Sequence, residues 1–123
     1  MVRRMADRYD SFEKFWPFYL GEHSLPLTRA FHFVGTSVAA LNLVAAVVFL
    51  QPAYALGALL SGYFFAWVSH FFIEKNRPAT FTYPFYSFAA DWKMWAFTWS
   101  FKLSAELEKH QIRPKSSQPA NAA

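Results

Sequence analysis

Hydrophobic and charged positions are segregated along the chain. The 44 consecutive residues from Ala30 to Ile73 include no Asp, Glu, Lys or Arg. A helical crossing of a bilayer takes about 20 predominantly apolar residues, so this stretch is long enough for two crossings. Gln51-Pro52 interrupts it near its middle, because proline cannot continue a helix. The pattern predicts two antiparallel membrane helices, at about residues 31–50 and 53–73, joined by this short turn.

The segment before the apolar stretch has the periodicity of an amphipathic helix. Its aromatic and aliphatic residues recur every three or four positions: Phe12, Phe15, Trp16, Tyr19 and Leu20. Trp and Tyr are typical of the lipid headgroup layer, so we expect this helix to lie in the membrane interface. The apolar run starts too late and is too long for a secretory signal peptide.

A third helix is predicted after the apolar stretch, from Pro84 to about Lys109. It carries an aromatic stripe, more typical of membrane anchoring than of a substrate groove: Phe85, Phe88, Trp92, Trp95 and Trp99. Asp91 and Lys93 make a free lipid crossing costly, so we expect this helix in the interface or packed over the hairpin. A third crossing stays open. Residues 113–123 have the composition of a disordered tail.

Composition and charge favour a small membrane protein over a soluble enzyme. Of the 123 residues, 54% are hydrophobic and only 16% are charged, against about 25% charged in soluble domains. The fold class predicted is all-α, an integral membrane hairpin of two spans flanked by amphipathic interfacial helices, in one domain over residues 1–112. The absence of cysteine excludes disulfides, Cys-ligated zinc, iron–sulfur clusters and a Cys nucleophile.

Every Lys and Arg lies outside the apolar stretch, and the net charge is +4. On a membrane protein such flanking cations indicate orientation and contact with anionic lipid, so we expect no nucleic-acid partner. The positive-inside rule predicts that both ends of the hairpin are cytoplasmic, in a bacterial inner membrane or the endoplasmic reticulum.

Three histidines fall at one depth of the predicted hairpin. His32 is near the start of the first span and His70 near the end of the second, so antiparallel spans place both at the cytoplasmic mouth. His23 precedes His32 by nine residues and can fold over the same mouth. Glu74 follows His70 by four residues, on the same helical face. Asp91, on the polar face of the third helix, is a further candidate.

The residue types in this cluster indicate a metal. Imidazole and carboxylate ligands suit Fe(II), Mn(II) or Zn(II), and a His-rich site with open positions is typical of non-haem iron and oxygen chemistry. The alternative for each histidine is a hydrogen-bonding or proton-relay role near the interface. His110, near the polar tail, is expected to be solvated. Arg29, Lys75 and Arg77 are expected to contact lipid headgroups or to hold a substrate carboxylate.

Three segments resemble a known family: residues 18–23 (FYLGEH), 29–36 (RAFHFVGT) and, above all, 67–81 (WVSHFFIEKNRPATF). They are similar to the small membrane family of the yeast endoplasmic-reticulum 2-hydroxy fatty acid dioxygenase of phytosphingosine breakdown. The resemblance covers about residues 15 to 95. Thr28 departs from the family pattern, which has Asn there.

The resemblance implies Fe(II)-dependent α-oxidation, in which a 2-hydroxy fatty acid and O2 give a fatty acid one carbon shorter plus CO2, without 2-oxoglutarate. It maps the essential histidines onto His23, His32 and His70. Glu74 and Asp91 are the expected catalytic carboxylates, each as a ligand or as a partner of one. The residues expected to bind substrate are Arg29, Asn76 and Arg77. The expected partners are a fatty-acyl substrate, O2 and membrane lipid.

Two other classes of protein fit the same residues. Two histidines at one depth on adjacent helices are also typical of the axial ligands of a b-type haem, in a small electron-transfer protein. A non-catalytic membrane hairpin that serves as a scaffold is the other class. Small residues recur four apart at Ala53, Gly57 and Ser61, which favours close helix approach and leaves a homo-oligomer open.

Overall fold

The computed structural model describes residues 9–114, which form helices and short connections with no strand among them. The all-α prediction is confirmed. Most of the predicted tail, 113–123, lies outside the described residues and stays a prediction, as does the single domain over 1–112. The elements along the chain are α1 (Phe12–Gly21), α2 (Pro26–Val48), α3 (Ala53–Val68), a π-helical turn (Ser69–Glu74), a 3-10 turn (Ala79–Phe81), α4 (Pro84–Trp99) and α5 (Leu103–Lys109).

The predicted hairpin is formed by α2 and α3, the latter extended by the π-helical turn. α2 begins at Pro26, ahead of the span at residues 31–50, because a proline is preorganised for the first turn of a helix. The chain reverses at Leu50, which has a positive φ of 52°. Both helices are long and apolar enough to cross a membrane.

Glycines allow α2 and α3 to pack closely. A Cβ added to Gly35 would lie 2.6 Å from the Cβ of Phe65, and one added to Gly57 would lie 2.8 Å from Oδ1 of Asn42. Larger residues would therefore force the two helices apart. Among the small residues Ala53, Gly57 and Ser61, Gly57 contributes to the packing of α2 against α3 within one chain.

The outer faces of the hairpin are apolar and exposed. Leu41 on α2 is 70% exposed and Phe64 on α3 is 62% exposed, and many other large apolar side chains of both helices are exposed. A soluble domain rarely exposes so much contiguous apolar surface, whereas lipid covers such a surface at little cost.

The hydrophobic core lies beside the hairpin, among α1, α4 and α5. Phe15, Trp16, Tyr19 and Leu20 of α1 are all at most 3% exposed. The prediction that Trp16 and Tyr19 face lipid headgroups is therefore wrong. α4 and α5 cover the apolar face of α1, and Trp16 donates a hydrogen bond to Glu106 of α5 at 2.9 Å.

The predicted third helix is two helices. α4 ends at Trp99, Phe101 has a positive φ of 59°, and α5 starts at Leu103, so the single helix 84–109 is wrong. This break lets Leu103 and Leu107 pack against the core cluster. α4 is also shorter than a membrane crossing requires.

The polar and aromatic residues of α4 face different parts of the protein. The ammonium group of Lys93 lies 4.5 Å from the ring centre of Trp16, a cation–π contact that directs it towards the aromatic core. Within the aromatic stripe, Phe85 and Phe88 are exposed, whereas Trp95 is partly buried and donates a hydrogen bond to Ser37 of α2 at 3.0 Å. α4 thus packs over the hairpin, one of the two positions expected for it.

Candidate metal centre

Three separate elements bring His23, His32 and His70 together. His23 lies in the loop after α1, His32 in the second turn of α2, and His70 in the π-helical turn, and all three are at most 5% exposed. Nε2 of His32 lies 3.1 Å from Nε2 of His23 and 3.3 Å from Nε2 of His70. The three ligand atoms all lie within 4.8 Å of one another.

The spacing of these nitrogens fits one metal ion. A metal–imidazole bond of about 2.0–2.1 Å places two ligand nitrogens about 2.8–3.4 Å apart, from the octahedral to the tetrahedral angle. The two Nε2 distances from His32 both lie in this range. Three histidines on one side would leave the remaining positions of the ion open to other ligands.

The hydrogen-bond partners of Nδ1 fix the tautomers of two of these histidines. Nδ1 of His23 lies 2.7 Å from the backbone carbonyl of Tyr19, and Nδ1 of His70 lies 2.7 Å from Oδ1 of Asn76. Both partners can only accept, so each Nδ1 carries the proton and each Nε2 is a lone pair. The amide of Asn76 is oriented by its Nδ2, which donates to the carbonyl of Glu22 at 2.9 Å.

This arrangement leaves lone pairs facing one another inside the protein. Nε2 of His32 has at most one proton for its two Nε2 contacts, so at least one of these contacts lacks a proton, and a bound cation would satisfy the lone pairs. Burial, followed by the two neighbouring imidazoles, holds the pKa of His23 well below its ordinary value. His23 is therefore neutral at physiological pH, the form that binds metals.

The π-helical turn orients His70. Asn76 follows the turn, beyond Lys75 with its positive φ of 64°, and its backbone N–H donates to the carbonyl of His70 at 2.8 Å. Asn76 therefore contacts both the backbone and the ring of His70. π-Helical turns are rare in proteins, but those that do occur are frequently found at functional sites. Helical periodicity in the sequence gives no sign of this one.

Glu74 lies outside the histidine cluster. Its carboxylate accepts hydrogen bonds from the hydroxyl of Ser24, from the N–H of Leu25 at 3.0 Å and from the hydroxyl of Thr28 at 2.7 Å. The cluster of ligand atoms found among residues 9–114 contains three histidines and no carboxylate. Glu74 thus joins the end of the π-helical turn to the start of α2, and its catalytic role stays a prediction. Thr28 belongs to this network.

Asp91 lies beside the cluster. Its Oδ1 is 3.8 Å from Nδ1 of His32 and accepts a hydrogen bond from the hydroxyl of Tyr19 at 2.5 Å. Burial raises the pKa of Asp91 above its ordinary value, although the Tyr19 hydrogen bond lowers it. The carboxylate faces the outer nitrogen of His32, where it favours the Nδ1–H tautomer.

The residues expected to bind substrate lie in three different surroundings. Arg29 donates from Nη1 to the carbonyls of His23 and Ser24, at 2.8 and 2.9 Å, and so holds the loop that carries His23. Asn76 supports His70. Arg77 is exposed, with its guanidinium 5.0 Å from the ring centre of Phe81. Substrate binding by these three residues stays a prediction.

His110 lies in another part of the fold. It follows α5 and its Nε2 is 3.2 Å from Oε1 of Glu106, where its side chain is 22% exposed. It therefore does not join the three buried histidines, in agreement with the sequence analysis, although it is less solvated than expected.

Comparison with known proteins identifies the family. Residues 9–103 match the family described as 2-hydroxy-palmitic acid dioxygenase Mpo1-like. The chain belongs to the Mpo1-like family. No curated protein and no solved structure gives a significant match. The Mpo1-like match spans α1 to the start of α5, and so includes all three histidines and the elements that position them.

Tyr19 is a residue of this Mpo1-like site that the sequence analysis did not select. Its carbonyl orients His23, its ring lies 4.1 Å from the imidazole of His23 between centres, and its hydroxyl contacts Asp91. Its spacing of four residues from His23, which lies just beyond the end of α1, favours such contact. The aromatic pattern of α1 favoured a headgroup position instead.

A cavity of about 210 Å³ opens beside the Mpo1-like histidines and extends between α2, α3 and α4. Its polar end is lined by Tyr19, Asp91 and the three histidines, and also by Ser87, whose Oγ is buried and has no hydrogen-bond partner among the described residues. A buried hydroxyl without a partner is costly unless a ligand or water completes it.

Proposed function

We propose that this protein is an Fe(II)-dependent dioxygenase that converts a 2-hydroxy fatty acid and O2 into a fatty acid one carbon shorter and CO2. Membership of the Mpo1-like family supports the dioxygenase class. The observation that carries the metal is the convergence of three Nε2 atoms, two of them with their protons held on the opposite nitrogen. A His-rich site with open positions suits iron and oxygen chemistry.

The reaction balances without a co-substrate. The bond between the carboxyl carbon and C2 breaks, the carboxyl carbon leaves as CO2, and C2 becomes the new carboxyl carbon. One oxygen atom and two hydrogens leave as water. The substrate gives up four electrons and O2 accepts four, which is why 2-oxoglutarate is not required.

His23, His32 and His70 would hold Fe(II), which would supply the activation of O2 and a positive charge for the substrate oxygens. Tyr19 and Asp91 form a hydrogen-bonded pair beside His32, and both residues line the polar end of the cavity. Asp91 can accept a hydrogen bond from the 2-hydroxyl group and keep it oriented. Arg29 and Asn76 act by fixing the histidines, and exposed Arg77 is available to attract the substrate carboxylate.

The membrane arrangement proposed places the centre at the bilayer boundary. α2 and α3 cross the bilayer, and both ends of the hairpin face the cytoplasm because the flanking segments carry the basic residues. The substrate then approaches with its chain in lipid and its carboxylate towards water. O2 is apolar and reaches the centre through the bilayer.

The alternative of a haem protein is less compatible with the histidine geometry. Axial imidazoles lie on opposite faces of a porphyrin, with their nitrogens separated by two metal–nitrogen bonds, about 4 Å. Nε2 of His32 and His70 are 3.3 Å apart, and a third imidazole lies beside them. Three converging imidazoles favour a non-haem ion.

Metal content and the absorption spectrum of the detergent-purified protein test this proposal first. We expect about one iron per chain and no Soret band. The iron-loaded protein should then convert a 2-hydroxy fatty acid under O2 into the shortened acid, with CO2 released in equal amount. A Soret band would instead indicate haem, and a protein that binds no iron after anaerobic Fe(II) loading would contradict the proposal.

A further inference from the structure

The cavity beside the histidines continues as a groove along the hairpin. On α2 the lining residues lie on one helical face: His32, Thr36, Ala39 and Leu43. On α3 and its extension they also lie on one face: Ala55, Ala58, Leu59, Gly62, Tyr63, Ala66 and His70. Spacings of three and four residues make each set a continuous stripe parallel to its helix axis. The groove therefore runs from the histidines towards the turn of the hairpin.

Small residues create the space in this groove. Ala39, Ala58 and Gly62 lie where larger side chains would fill the gap between the helices, and a Cβ on Gly62 would lie 3.9 Å from the Cβ of Ala39. The opposite side of α3 carries large residues that do not line the cavity, such as Leu56 and Leu60, 58% and 62% exposed. Small side chains thus lie on the groove side of α3, and large side chains lie on its opposite side.

The two ends of the groove differ in chemistry. The histidine end has polar groups, among them the unpartnered hydroxyl of Ser87 and the side chain of Thr36. Towards the turn, the lining is formed by apolar residues such as Leu43, Ala55 and Leu59. A ligand that fits is polar at one end and has a long apolar chain, because each end then meets groups that complement it.

The length of the groove can be read from the helix. Gly62, Ala58 and Ala55 precede His70 by eight, twelve and fifteen residues. At a rise of 1.5 Å per residue they lie about 12, 18 and 22 Å along the axis from it. These distances correspond to successively longer parts of one extended acyl chain. The exposed residues Leu43 and Leu59 leave the far part of the groove open to the surrounding lipid.

We propose that this groove binds the alkyl chain of the 2-hydroxy fatty acid, with its oxygen-bearing carbons at Ser87 and the histidines, and that Gly62, Ala58 and Ala55 determine which chain lengths are accepted. This inference rests on the proposed function and adds the residues that set chain-length specificity. A chain that enters sideways from lipid extends along the stripe of small residues without displacing a helix.

Bulky substitutions along the stripe test the order of these positions. The variants are Gly62→Leu, Ala58→Leu and Ala55→Leu, and the control is Ala53→Leu, an exposed position of α3 that does not line the cavity. Each iron-loaded protein receives a competing mixture of 2-hydroxy fatty acids from medium to very long chain. The products of this competition give relative kcat/KM for every length.

We expect each leucine substitution to lower kcat/KM by about tenfold or more for chains that reach it, because the added side chain occupies the space of the alkyl chain. Chains that end before it should be unaffected. The longest accepted chain should increase in the order Gly62→Leu, Ala58→Leu, Ala55→Leu, and the Ala53→Leu profile should match the unsubstituted protein. An equal loss at all lengths in folded, iron-loaded variants would overturn the proposal.

Photo-crosslinking tests the groove on the unsubstituted protein, without turnover. Fatty acids with a diazirine near the carboxyl group, in the middle or near the methyl end are irradiated with the protein in lipid nanodiscs. We expect labels to move from the region of Thr36 and Ala66, past Gly62, to Leu59 and Ala55 as the diazirine moves along the chain. Labels on the outer faces, or labels that do not depend on diazirine position, would contradict the groove. If the labels follow the diazirine position but the protein shows no turnover, the groove is supported and only the proposed dioxygenase reaction is contradicted.

Discussion

The hairpin and the aromatic core are stabilised in different ways. In the hairpin, α2 and α3 expose large apolar side chains and meet where Gly35 and Gly57 allow close backbone approach. In the core, α1 buries Phe15 and Trp16 almost completely against α4 and α5. In the bilayer proposed for the hairpin, lipid would remove the hydrophobic driving force between helices, so close packing would have to hold α2 against α3. Burial from water can hold the core.

The candidate metal centre lies between these two regions, and its three histidines come from both. His32 and His70 belong to the hairpin, and His23 is held by Tyr19 at the end of the core helix α1. The centre therefore depends on the correct docking of one region on the other. Substitutions at His70, Phe15, Asn76 and Gly35 separate the contributions of a candidate ligand, the core, a supporting residue and the hairpin contact.

The largest effect is expected for His70→Ala. Loss of one of three ligands should abolish iron binding and all turnover, while the helical content of the hairpin is kept. Iron content by mass spectrometry and far-UV circular dichroism measure the two properties. His110→Ala is the control and should keep its iron. Full iron occupancy in His70→Ala would exclude His70 as a ligand.

Phe15→Ala should destabilise the core by about 3–5 kcal/mol, because it leaves a large cavity among buried aromatic side chains. Phe88→Ala, at a side chain that is 63% exposed on α4, is the matched control and should change stability by no more than about 0.5 kcal/mol. Reversible denaturant unfolding in mild detergent measures the difference. Equal effects of both variants would mean that the core does not stabilise the fold in this way.

Asn76→Ala should weaken iron binding by about tenfold to a hundredfold, because Nδ1 of His70 loses the acceptor that holds its proton. Asn76→Asp keeps an oxygen at this position and should restore most of the affinity. Competition with a coloured chelator measures both variants. If Asp and Ala weaken binding equally, the oxygen of Asn76 does not orient His70.

The smallest effect is expected for Gly35→Ala, at a net cost of about 1–2 kcal/mol. Its Cβ would lie 2.6 Å from the Cβ of Phe65, and this clash outweighs the helix propensity gained from alanine. Gly62→Ala is the control, since its Cβ meets only an ordinary contact at 3.9 Å and should be neutral or stabilising. Unfolding in mixed detergent micelles measures both. If Gly35→Ala leaves the stability unchanged, the hairpin tolerates a wider separation of α2 and α3 at this crossing.

Much of the fold can be predicted from the sequence because local physics sets it. The length of the uncharged stretch fixes two long helices, and Gln51-Pro52 fixes the turn between them. The equal depth of His32 and His70 then follows from antiparallel geometry. The break at Phe101 could not be predicted in this way, because it depends on α5 packing back against the core.

The chain sequence by itself determined an all-α fold, a hairpin long and apolar enough for a membrane, and the family with its three candidate histidines. Only the tertiary structure decided the partners of those residues. Tyr19 and Asp91 are 72 residues apart, and Ser24 and Glu74 are 50 apart, yet each pair forms a hydrogen bond. Periodicity reports which face of a helix is apolar, but a hydrogen bond between distant residues depends on how whole helices dock. The tautomers of the histidines, and the groove between the helices, follow from that docking.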